Sequence, residues 1–187
     1  MLIFKKIFIF AIYLFAFCSS FNSLAKDNLA ATIKNKQANV IFLRHALAPG
    51  YGDPKDFDLN NCNKQRNLNK IGRNQAKNIG KYFLRNKIKF DEILSSEWCR
   101  CKDTAKELNI GKWETFSGLN SFFQSYSDKE KVLNLLRNKL NNIDKNSLNL
   151  MITHQVVIAE ITGIYTHSGG IVIYNSYNKT AKEIKIE

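Results

Sequence analysis

Apolar residues along the chain gather in short runs separated by longer amphipathic stretches, and this alternation predicts the elements. Val40-Ile41-Phe42-Leu43 is an unbroken apolar run with β-branched members, the pattern of a buried strand. It stops on Arg44-His45. From Leu47 to Arg66 no periodicity is visible, and Pro49-Gly50-Tyr51-Gly52-Asp53-Pro54 and Asn60-Asn61 break the chain; a loop this long in a compact domain usually serves function. Asn69 is suited to cap a helix with an apolar face of Leu68, Gly72, Ala76, Ile79 and Phe83, ending near Asn86. Phe90 to Leu94 predicts a strand, Trp98 to Leu108 a helix, and Lys112-Trp113-Glu114 a short strand. Ser127-Asp128-Lys129-Glu130 reads as a capping box opening a helix striped by Val132, Leu135, Leu136, Leu140 and Ile143. Leu148 to Thr153 is a buried strand ending on His154, Gln155 to Thr162 a helix, and Gly170 to Tyr174 and Lys182 to Ile186 are closing strands. Strands alternating with helices predict an α/β fold, a three-layer α/β/α sandwich with a mainly parallel central sheet.

Chemistry collects where strands stop. Arg44-His45, Arg100 just past Ser95-Ser96, and His154 all follow strand ends, and in a parallel α/β sheet those ends lie along one edge. Arg100 falls in the first turn of its helix, where free N–H groups and the helix dipole already favour an anion. Two arginines, two of the three histidines and a helix N-terminus describe a pocket for a dianionic phosphate. An imidazole beside a guanidinium can attack phosphorus while the arginine neutralises the phosphoryl oxygens.

The first residues add a location. Lys5 and Lys6, an uncharged run from Ile7 to Phe17, and Ser23-Leu24-Ala25 before Lys26 have the layout of a cleaved secretory signal. A retained membrane anchor is the alternative, disfavoured by the polar Ser19, Ser20, Asn22 and Ser23. The expected organisation is therefore a signal peptide over residues 1–25 and one domain over residues 26–187, with no linker or repeat dividing it, exported to the periplasm. The formal net charge of +12 supports anionic ligands, but no basic patch interleaved with aromatics points to nucleic acid. Cys62, Cys99 and Cys101 remain after cleavage. In an oxidising compartment they suggest one disulfide and one leftover thiol. Cys99 and Cys101 point about 200° apart on a helix, so Cys62 is expected to pair with Cys99 or Cys101. Three cysteines without a nearby histidine make a poor zinc site, and no metal is expected.

Leu43-Arg44-His45-Ala46 resembles the R-H-G signature of the histidine phosphatase superfamily, which includes the phosphoglycerate-mutase-like enzymes. Ser95-Ser96 followed by Arg100 and Thr104-Ala105 is similar to its second signature, Thr153-His154 to its second histidine, and Arg66-Asn67-Leu68-Asn69 with Gly72 and Gln75-Ala76 to a further segment. The similarity runs from Asn39 to about Gly163, and the signal and cysteines resemble an exported bacterial branch. The resemblance implies that His45 becomes a phosphohistidine that water hydrolyses, that Arg44 and Arg100 hold the equatorial oxygens, that His154 donates a hydrogen bond to them, and that no metal or other cofactor is needed. Arg66 is a candidate substrate contact. His167 matches no signature and is expected at the surface or a pocket rim, and Trp98 either walls the pocket or fills the core. Two departures stand out: Ala46 replaces the signature glycine, and Leu119-Asn120-Ser121 stands where mutase-like members carry an acid. Glu97 and Asp53 are then the candidate general acids, unless a good leaving group makes an acid unnecessary.

The expected activity is a metal-independent phosphomonoesterase acting on a phosphorylated small molecule or glycan outside the cytoplasm. Its partner is that substrate, with no nucleic acid and no stable membrane span after signal cleavage. A non-catalytic periplasmic module binding phosphorylated ligands is the alternative, and a phosphoglycerate-type mutase ranks below both. Specificity is expected in the loops Leu47–Arg66 and Gly111–Tyr126.

Overall fold

Both faces of the strand Val40–Arg44 are buried, and each face meets a different set of helices. The computed structural model describes residues 29–185, so the expected signal segment lies outside the described residues. In chain order the elements are α1 (Leu29–Lys36), β1 (Val40–Arg44), α2 (Lys70–Arg85), β2 (Glu92–Ser95), α3 (Cys99–Leu108), β3 (Glu114–Thr115), α4 (Lys129–Asn141), β4 (Asn149–Thr153), α5 (Gln155–Thr162), β5 (Ile171–Asn175) and β6 (Thr180–Ile184). The sheet runs β3-β2-β4-β1-β5-β6. β3, β2, β4 and β1 are mutually parallel, and β5 and β6 add antiparallel pairs at one side.

Alternate residues of β1 divide the core. Ile41 and Leu43 pack with Ile79 and Phe83 of α2 and Ala105 and Leu108 of α3. Val40 and Phe42 pack with Leu136 and Leu140 of α4 and Val157 and Ile158 of α5. This is the three-layer α/β/α arrangement expected from the alternation of periods. Among the described residues no helix is long and apolar enough to cross a membrane.

Two local expectations need correction. Helix α4 is capped by Asp128, whose carboxylate accepts from the Lys131 N–H at 2.9 Å, and not by Ser127, because the helix begins one residue later than the capping-box spacing implies. Its buried stripe is Val132, Leu133, Leu136 and Leu140; the later start turns Leu133 inward and leaves Leu135 half-buried. Asn69 caps α2 as expected, accepting from the Gly72 N–H at 2.8 Å.

A Cβ on Gly72 would stand 2.0 Å from the Leu47 carbonyl oxygen, so α2 lies directly against the backbone two residues past His45. Ala at this helical position would gain about 1 kcal/mol of propensity but overpack against backbone, costing about 1–3 kcal/mol or more. We expect Gly72→Ala to lower the urea midpoint and to reduce turnover; an unchanged midpoint would show that the backbone yields freely.

Cys62 and Cys99 form a disulfide, with Cα atoms 5.7 Å apart, which chooses between the two pairings the sequence allowed. Cys101, two residues round the helix, is buried and free, with Sγ 3.7 Å from the Thr153 carbonyl oxygen. The bond joins the long loop to the start of α3, one residue before Arg100.

Candidate active site

Parallel pairing brings the polar strand ends together. Arg44 stands opposite Thr153, and Ser95 opposite Ile152. Beyond the last pairs, the His45 N–H donates to the Thr153 carbonyl and the Ser96 N–H to the Ile152 carbonyl, both at 2.9 Å. His45 and His154 therefore leave adjacent strands side by side, their ring centroids 5.4 Å apart. With Arg44, Arg66 and Arg100 they line one cavity of about 370 Å³.

His45 Nδ1 lies 2.8 Å from the Ala46 carbonyl oxygen. A carbonyl only accepts, so Nδ1 carries the proton and the Nε2 lone pair is left for chemistry. The backbone after His45 is held by two residues with no assigned role in the sequence: the Ala46 N–H donates to Thr104 Oγ1 at 3.0 Å, and the Leu47 N–H to Gln75 Oε1 at 2.8 Å. Gln75 in turn donates to the Ser168 carbonyl at 2.8 Å. Their place in the signatures was the available signal; their hydrogen bonds give the reason for it.

His154 Nδ1 lies 3.4 Å from Arg100 Nη2, and Nε2 lies 2.9 Å from Ser96 Oγ. A guanidinium only donates, so Nδ1 accepts and Nε2–H donates to Ser96, which passes its own proton toward Asn120 Oδ1 at 3.1 Å. Both ring nitrogens are thus engaged. Donation to a phosphate oxygen would require His154 to give up Arg100 and take a proton on Nδ1.

Asp53 is the holder of Arg100. Its side chain is 5% exposed and that of Arg100 4%, and they pair at 2.8 Å. The same carboxylate accepts from the Arg66 N–H at 3.0 Å and from Trp98 Nε1 at 3.2 Å. All of these contacts turn the carboxylate away from the cavity, whose lining does not include Asp53. Glu97 does not line it either; its carboxylate accepts from Asn120 Nδ2 at 2.5 Å. Neither candidate acid therefore reaches the pocket in this structure. Arg66 does line it, with Nε donating to the Gly52 carbonyl at 2.9 Å and Nη1 to that of Ala48. Trp98 is buried in the core, and His167 lines a separate cavity with Ile71, Gln75 and Ile184.

Three guanidinium groups face one carboxylate, leaving two positive charges, the magnitude of a phosphate monoester dianion. Arg44 Nη1 donates to the Thr166 carbonyl at 2.8 Å. The Nε atoms of Arg44 and Arg100 are buried without a partner, so unmet donors concentrate at this place. Burial first, then the Arg100 charge, push Arg44 and Arg66 below the ordinary arginine value. Burial and then Arg100 also hold His45 and His154 well below the usual 6.5. Burial pushes the Cys101 thiol up to about 12, which keeps it protonated and unreactive.

The folded state disfavours protonating either imidazole, so below pH 6.5 the unfolded chain binds more protons than the native one. The stabilisation is complete above 6.5 and is lost as pH falls from there through the lowered native values. We expect the urea midpoint to fall on acidification below pH 6.5, with His45→Asn removing part of that slope; a flat profile would contradict neutral buried imidazoles.

A family model for the histidine phosphatase superfamily (branch 1) matches residues 40–120. No curated protein matches the sequence. Among solved structures, the protein histidine phosphatase SixA complexed with tungstate is 18% identical, with a TM-score of 0.53 over 77% of this chain and 92% of that one. Phosphoserine phosphatase of Entamoeba histolytica in complex with 3-phosphoglyceric acid is 14% identical, with 0.54 over 78% and 94%. A mycobacterial glucosyl-3-phosphoglycerate phosphatase complexed with VO3 is 12% identical, with 0.56 over 78% and 96%. At these identities the likeness is one of fold. The family match and the phosphatase neighbours are consistent with a phosphatase.

Proposed function

We propose that this chain, matching the histidine phosphatase superfamily over residues 40–120, is a metal-independent phosphomonoesterase working through a phosphohistidine on His45. The observation that carries the reading is the convergence of Arg44, Arg66, Arg100 and the two imidazoles on one cavity, with the His45 tautomer leaving Nε2 basic. The Nε2 lone pair attacks phosphorus in line. The P–N bond forms as the ester P–O bond breaks, and the electron pair leaves with the alcohol oxygen. Water then attacks the phosphohistidine, returning phosphate and free His45. The arginines offset charge gathering on the equatorial oxygens, the positioning and electrostatic work on which phosphoryl transfer depends.

No lining residue among those described carries a carboxylate, so the leaving oxygen departs without a protein acid. This favours substrates whose leaving groups are stable as anions. The arrangement of the first residues and the Cys62–Cys99 bond support an oxidising, extracytoplasmic location with the substrate found there. The missing acid also favours a second reading, a module that binds phosphorylated ligands without turning them over.

The test is to quench the full chain during turnover of a labelled aryl phosphate in the presence of a chelator. An acid-labile, alkali-stable label mapping to His45 is expected. Turnover without that label would overturn the phosphohistidine route. Calorimetric binding of phosphosugars with no turnover of any ester would favour the binding module.

A further inference from the structure

Part of the rim of the cavity is aromatic and held in place by hydrogen bonds between two loops. Tyr51 is 89% exposed and Phe123 37%. Both line the cavity that holds His45 and the arginines, and they meet edge to face with centroids 5.3 Å apart. Tyr51 stands between Gly50 and Gly52, whose φ angles of +92° and +68° turn the loop sharply on either side of it.

The two loops are bolted to each other. The Asp53 N–H donates to Gln124 Oε1 at 2.7 Å, Gln124 Nε2 returns to the Asp53 carbonyl at 3.3 Å, and the Tyr126 hydroxyl donates to the Pro54 carbonyl at 2.8 Å. A Cβ at Gly52 would meet Gln124 Oε1 at 2.5 Å. Directly after Phe123, Gln124 and Ser125 hold φ values of 61° and 60°, a region that costs a non-glycine residue free energy and persists only where the surroundings enforce it. Here the Gln124–Asp53 pair enforces it on the rim of the phosphate cavity.

Resting on the phosphatase reading, we propose that Tyr51 and Phe123 form a specificity corner for substrates whose phosphate is borne by a flat, unsaturated ring. Three observations converge on that class. Tyr51, 89% exposed, offers a ring face to solvent in the same cavity as the arginines and histidines, a surface suited to stacking. The lining supplies Ser121, Gln155 and Ser168 but no carboxylate, so a polyol would lose water hydrogen bonds with little in return. A ring that delocalises negative charge leaves without a proton donor, which matches the absence of one.

The experiment compares kcat/KM of the full-length protein on phenyl phosphate with that on hexafluoroisopropyl phosphate, an aliphatic ester whose alcohol is close to phenol in acidity. The wild type is expected to favour the phenyl ester by about tenfold, the scale of one aromatic contact. Tyr51→Ala should bring the ratio toward one, Phe123→Ala should lower it, and Tyr51→Phe should retain it because the ring face is unchanged. Equal kcat/KM for the two esters in the wild type, or a ratio that survives Tyr51→Ala, overturns the corner while leaving the phosphatase standing. Turnover of neither ester by the wild type overturns both.

Discussion

His45→Ala is expected to lose phosphate-ester turnover by roughly a thousandfold or more, since it removes the one lining imidazole whose Nε2 is left free for attack. His154 cannot substitute, because its ring nitrogens face Arg100 and Ser96. The Cys101 thiol cannot either, being buried and protonated. Phosphate binding should survive, because the three guanidinium groups are untouched. A calorimetric dissociation constant for inorganic phosphate within a few-fold of wild type, beside absent turnover and absent label, is the expected pattern. Full activity in His45→Ala would remove the nucleophile assignment outright. The fold should tolerate the change, as the lost hydrogen bond is one Nδ1–H to the Ala46 carbonyl, worth about 1 kcal/mol.

Arg100→Ala has the second largest expected effect, and it acts on activity and stability together. Removing a buried donor that stabilises transition-state charge costs roughly a hundred- to a thousandfold in turnover. The substitution also strands the Asp53 carboxylate, whose side chain is 5% exposed, and breaking a buried pair from one side destabilises by about 3–5 kcal/mol. Some of that loss is offset, because Arg100 also repels the charges of Arg44 and Arg66. The double variant Asp53→Ala/Arg100→Ala should recover stability relative to Arg100→Ala without recovering turnover, since the stranded charge is gone but the phosphate contact is not restored. A double-mutant cycle in urea reads the coupling. Additive stabilities would show that Asp53 does not hold Arg100.

Much of the fold was legible because both periodicities are strong and rarely conflict. The run Val40–Leu43, the Asn69 cap and the helix Gln155–Thr162 follow from patterns that local physics enforces. The start of α4 differs from the capping-box expectation because Ser127 and Asp128 are both competent caps, and the choice depends on which register buries Leu133 and Leu136 against the sheet. The candidate site was legible as four side chains at three strand ends. The roles of Asp53, Gln75 and Thr104 were not, because each acts through hydrogen bonds to residues distant along the chain, which leave no local period.

By itself the sequence determined which residues stop the strands, and so which cations and imidazoles could share one edge of a sheet. It also limited the cysteine pairing to Cys62 with Cys99 or Cys101, because helix geometry separates the latter two. Only the tertiary structure decided that Cys99 is the partner and that Asp53 clamps Arg100. It alone brought Tyr51 and Phe123 to the rim of one cavity. The physical reason is common to all three: strand and helix patterns arise from neighbours two to four residues apart, whereas these contacts join segments distant along the chain. Which distant groups meet is chosen by the packing of the whole core.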